Sequence, residues 1–144
     1  EAERRLHLVP LGERAGLQVP FQTSIDDLGI SGLRTRASDL DLRAVRGVVS
    51  ERIVVHLPPS VTVVQLPDEV VLELPEITYR FSVRFDGEAL VFERELAVLA
   101  LEIRAEHCAV LADFLNQASR AERSVVVLAM DATVPTDEAV ATAK

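Results

Sequence analysis

The chain has 144 residues, with 15 Lys or Arg against 23 Asp or Glu and a formal net charge of −8. That length suits one domain with a real core, and the negative balance argues against nucleic acid and anionic lipid, where phosphate neutralisation supplies most of the affinity. The single cysteine, Cys108, excludes an internal disulfide and any cysteine-rich metal site. No stretch has the roughly 18 uninterrupted apolar residues of a membrane span, because Gln65, Pro67, Asp68, Glu69 and Glu73 interrupt Val61 to Leu74.

The chain opens Glu1-Ala2-Glu3-Arg4-Arg5, with neither an initiator methionine nor a basic and then apolar signal, which reads as an excised piece or a processed product. Residues 1–43 read as a connector or extra edge strands: Leu17 to Thr23 suits a short edge strand containing Pro20, and Ser24 to Arg43 has the composition of turns. From Ala44 to Leu57 the β-branched Val45, Val48, Val49, Ile53, Val54 and Val55 predict a strand, ended by Pro58-Pro59. Strands at Val61 to Leu66 and Val70 to Leu74 follow, closed by Pro67 and Pro75.

The clearest pattern runs from Ile77 to Leu96. Ile77, Tyr79, Phe81, Val83 and Phe85 alternate with Thr78, Arg80, Ser82 and Arg84, then Asp86-Gly87 marks a hairpin turn. A two-residue type I′ turn would set Phe85 opposite Glu88, Phe81 opposite Phe92, Tyr79 opposite Arg94 and Arg80 opposite Glu93. The period then changes to three and four at Cys108, Leu111, Phe114, Leu115 and Ala118, predicting an amphipathic helix over about 105–121. Ser124 to Met130 is apolar on both faces, hence a central or helix-covered strand. The sequence therefore predicts a mainly β domain, an antiparallel β-sandwich over 44–130 with one C-terminal amphipathic helix packed on it, and a frayed tail at 131–144.

Candidate chemistry is sparse. His107 and Cys108 adjoin, but neighbours on a helix diverge by about 100°, and Cys108 falls on the apolar stripe, where a thiol is a small hydrophobe. His7, His56 and His107 have no zinc-site spacing, and Asp39-Leu40-Asp41 stops short of a calcium loop. Asp26-Asp27, Asp39, Asp41 and Asp68-Glu69 read as turn residues. The 6 glycines form no phosphate-binding loop or nucleophile elbow, so no catalytic residue, cofactor or metal is expected.

Arg94 stands out because the hairpin places it on the apolar face, where a guanidinium must be paired. The favoured reading is a structural pair with a carboxylate such as Asp68, Glu69 or Glu73, capped by stacking on Tyr79; an anion or substrate clamp is the other reading. Arg94, Tyr79, Asp86 and Gly87 are thus the expected structural residues.

Leu57-Pro58-Pro59, Leu66-Pro67, the YRFSVRFDG hairpin with FERELAV in its second arm, the EHCAVLADFLNQASRAE helix and the closing SVVVL strand resemble the C-terminal domain of bacterial multidomain transglutaminase-like proteins. The likeness covers about Arg46 to Leu128. It implies an accessory domain without catalytic residues, beside a transglutaminase-like core with a Cys-His-Asp centre in the same parent chain, exported to the periplasm or secreted. The alternative is an independent peptide- or glycan-binding β-sandwich module. A third reading, an enzyme using an acid pair assembled by the fold, has less to support it.

Overall fold

The computed structural model describes residues 2–5, 8–18, 37–130 and 140–143. Its strands are β1 (Ala2–Arg5), β2 (Leu8–Leu11), β3 (Arg14–Gln18), β4 (Leu40–Asp41), β5 (Gly47–His56), β6 (Val61–Gln65), β7 (Val70–Glu73), β8 (Ile77–Phe85), β9 (Ala89–Val98), β10 (Glu102–Ile103), β11 (Val125–Met130) and β12 (Val140–Ala143). Helix α1 (Cys108–Glu122) follows a 3-10 turn at Ala105–His107. The strands pair antiparallel in a six-stranded sheet ordered β1-β12-β5-β9-β8-β7, a four-stranded sheet ordered β2-β3-β11-β6, and a β10-β4 pair. Among the described residues the fold is mainly β with a single α-helix near the C-terminus, as the change of period from two to three and four predicts. Among the described residues no helix is long and apolar enough to cross a membrane.

One core joins both larger sheets to the helix. Leu17 of β3, Val126 and Leu128 of β11, Ile53 and Val55 of β5, Phe81 of β8, Phe92 of β9, and Leu111 and Phe114 of α1 belong to a single buried cluster. Full burial of such side chains stabilises by about 1.5–3 kcal/mol each before conformational entropy is counted. The helix turns Cys108, Leu111, Phe114 and Ala118 inward, the predicted stripe, and packs against β7 and β8. As expected for a strand apolar on both faces, β11 is internal, between β3 and β6. Pro58 marks the end of β5, and its carbonyl accepts the Val61 N–H at 3.0 Å, turning the chain into β6.

The hairpin keeps its predicted faces but not its predicted register. Phe85 lies opposite Leu90, Val83 opposite Phe92, Phe81 opposite Arg94 and Tyr79 opposite Leu96, a shift of two residues from the type I′ alignment. The cause lies at the turn. A type I′ turn needs positive φ at both central residues, whereas Gly87 has φ 102° and no residue other than glycine among those described is positive. Asp86 Oδ1 instead accepts the N–H groups of Glu88 at 2.9 Å and Ala89 at 2.8 Å, rounding off a wider loop. These bonds, Ala89's first, hold the Asp86 carboxyl below the usual carboxylate range. Because the slip is even, the two faces are preserved and Ile77, Tyr79, Phe81 and Val83 stay buried, whereas Phe85, expected in the same row, is exposed at the strand end. The consequence of the slip is a change of partners: Arg84, not Arg80, forms the ion pair with Glu93, while Arg80 faces Glu95. The outer face is also less wet than the alternation of β8 suggests, since Val54, Ala89 and Val91 form a small buried cluster there.

The N-terminal segment supplies edge strands β1 and β2, one of its two expected roles, but the chain ends otherwise depart from the expected organisation. Strand β3 is internal to the four-stranded sheet and Leu17 is fully buried, so this part of 1–43 belongs to the fold. At the other end, residues 140–143 form β12 between β1 and β5, where a frayed tail is predicted. Of the expected tail, 131–139 and 144 lie outside the described residues, as do 19–36 from the N-terminal segment.

The short β4-β10 pair has a pH-sensitive neighbour. Asp41 accepts hydrogen bonds from the Arg43 guanidinium at 2.9 Å and from the Arg43 N–H at 2.9 Å, and these lower its carboxyl pKa from 3.8 to about 2. A folded value below the unfolded one means that the stabilisation is complete above about pH 4 and is lost as the pH falls through about 2. Asp41→Asn is therefore expected to melt below the parent protein at neutral pH and to converge with it near pH 2, as thermal scans across that range will read.

Candidate functional site

The most concentrated polar chemistry inside the core is centred on Arg94. Its place on a central strand comes from period two: Leu90, Phe92, Arg94, Leu96 and Val98 of β9 face the core, and the arginine side chain is only 4% exposed. Glu51 is its direct cross-strand neighbour on β5, with Arg94 Nη2 donating to Glu51 Oε1 at 3.3 Å. Glu122, the last residue of α1, closes the other side, where Arg94 Nη1 donates to Oε2 at 2.8 Å. Tyr79 donates its hydroxyl to the same Glu122 oxygen at 3.1 Å. Burial, and then the adjacent Glu122 carboxylate, push the Tyr79 hydroxyl well above the ordinary tyrosine range, so it remains a donor.

The residues expected to be structural lie in two places, and the partners of Arg94 and Tyr79 differ from those expected. Arg94 is buried and paired as expected, but with Glu51 and Glu122 and not with Asp68, Glu69 or Glu73. The last three sit on or beside the β7 end of the sheet, separated from Arg94 by β8. Tyr79 joins through its hydroxyl and not through the stacking expected of its ring, because the two-residue slip sets Leu96 across from it. Asp86 and Gly87 shape the hairpin loop and stand apart from this cluster.

Glu51 and Glu122 carried readable signals. Glu51 occupies an inward position in the alternation that continues through Ile53 and Val55 of β5. Glu122 falls four residues beyond Ala118 on the helical stripe, one residue past the predicted end of the helix.

The remaining candidates are dispersed. Cys108 is fully buried, and its Sγ donates to the Arg104 carbonyl at 3.5 Å, while His107 points outward with its Nδ1 3.6 Å from Glu76. Asp39 accepts the Ala105 N–H at 2.9 Å, tying the approach to β4 to the start of the 3-10 turn. His7 and Asp26-Asp27 lie outside the residues whose side chains are described. Among the described residues no three His, Cys, Asp or Glu side chains gather in a group able to hold a metal.

Chemically, the Arg94 cluster is suited to holding strands and helix together. Its positive centre is flanked by two carboxylates, an arrangement that disfavours an incoming anion and removes the clamp reading of Arg94. The class so defined is an antiparallel, mainly β domain with one α-helix among the described residues and a buried ion-pair network linking its central strands to the helix end. No family model, curated protein or solved structure matches this chain.

Proposed function

We propose that this chain is a non-catalytic structural or interaction domain, accessory to a transglutaminase-like core in a longer parent protein. What supports the reading is how the buried charges are used: Arg94, Glu51, Glu122 and Tyr79 bond to one another and join β5, β9, β8 and the end of α1. Such an arrangement serves architecture, and chemistry on a substrate falls to the neighbouring core. The family part of the proposal draws on the resemblance in the order of LPP strand, YRFSVRFDG hairpin, helix and SVVVL strand. By the same resemblance the parent is exported, and the domain itself requires no cofactor.

The parent reading frame tests this directly. A region bearing a catalytic Cys-His-Asp set immediately upstream is the expected finding, and a freestanding gene would remove the proposal. A peptide-binding role for the domain draws on the exposed apolar residues Leu99, Leu101 and Val110.

A further inference from the structure

A pocket of about 220 Å³ opens between the β7-β8 turn, β10 and α1. Leu74, Pro75, Ile103 and Val110 give it apolar walls, with Ile103 buried and Val110 half exposed. Glu76 and His107 add its polar side chains. The Glu76 side chain is 21% exposed, and its Oε1 lies 3.6 Å from His107 Nδ1, beyond ordinary hydrogen-bond length. Among the described residues this ion-pair-range contact to an imidazole is the nearest polar partner of the Glu76 side chain, so a carboxylate at an apolar cavity retains its capacity to accept a further charged donor.

We propose that this pocket binds an arginine side chain presented by a partner polypeptide. The arginine stem is apolar and lies along Leu74, Pro75 and Val110, while the guanidinium reaches Glu76 and can present two parallel donors to one carboxylate. Lysine fits less well, because its compact ammonium is strongly hydrated and loses more on entering an apolar site. Charge complementarity extends beyond the pocket: the chain's net charge of −8 draws cationic segments towards it. This inference deepens the interaction-domain reading and rests on it for its biology, whereas the binding itself is a property of this chain alone.

Titration of N-acetyl-arginine amide into the isotopically labelled chain, followed by backbone amide shifts, tests it. Expected are saturable shifts at Glu76, Ile103, His107 and Val110 at millimolar ligand, with binding at least about tenfold tighter than that of the uncharged isostere N-acetyl-citrulline amide. Glu76→Gln should abolish the preference for arginine over citrulline while leaving the hairpin amides in place. Val110→Ser, at an exposed helix position that does not threaten the core, should weaken both ligands by shortening the apolar wall without adding charge. Absence of saturation at these residues, equal affinity for arginine and citrulline, or an unaltered preference in Glu76→Gln would each overturn the proposal. Lysine amide binding as tightly as arginine amide would overturn the guanidinium assignment. The accessory role is decided by the reading frame, so a negative titration leaves that result standing.

Discussion

Replacing Arg94 with methionine is expected to destabilise the fold by about 3–5 kcal/mol, the loss typical when one member of a buried ion pair is removed. The burial warrants the large figure: the side chains of Glu122 and Glu51 are 7% and 15% exposed, so neither carboxylate gains full hydration once the guanidinium is gone. Methionine fills much of the arginine stem's volume, which confines the loss mainly to electrostatics. For a chain of this size the unfolding midpoint should fall by about 10 °C or more. The damage comes from stranded carboxylates, so Arg94→Met combined with Glu51→Gln and Glu122→Gln should be markedly less destabilised than the sum of the three single changes. Urea unfolding of the single and combined variants measures both effects. A single-variant loss under about 1 kcal/mol, the range of an exposed pair, would show that the cluster is peripheral to stability.

This cluster also marks how far the sequence could be read. That Arg94 faces the core was legible, because strand side chains alternate and any even slip of the hairpin preserves the faces. The register was not legible for the same reason: pairing Phe81 with Phe92 or with Arg94 satisfies the apolar pattern equally well. The choice depends on Asp86 taking two backbone N–H groups, a local competition that hydropathy does not record. The partners of Arg94 were hidden by distance along the chain, since Glu51 is 43 residues away and Glu122 is 28. The helix was readable from its stripe, and the central strands from their β-branched runs. Strands β1 and β12 are short, and they bring opposite ends of the chain together. No local period specifies a pairing of that kind.

Leu17 provides the sharpest test of where the fold begins. If residues 1–43 were only a connector, Leu17→Ala would change stability by no more than about 0.5 kcal/mol, as at an ordinary surface position. The structure predicts instead a loss of about 2–5 kcal/mol from lost burial and the cavity left behind. Leu17 is 0% exposed, lies opposite Leu8 on β2 and Val126 on β11, and belongs to the same buried cluster as Phe81 and Phe92. Leu11, 43% exposed on the neighbouring β2, is the matched control, and its replacement by alanine should cost about 0.5 kcal/mol or less. Both changes remove the same atoms from nearby strands, so the difference between them isolates burial from β propensity. Equal small losses in urea unfolding would detach β3 from the core and restore the connector reading, whereas a large loss confined to Leu17 makes the four-stranded sheet, and with it the N-terminal segment, part of what holds the domain together.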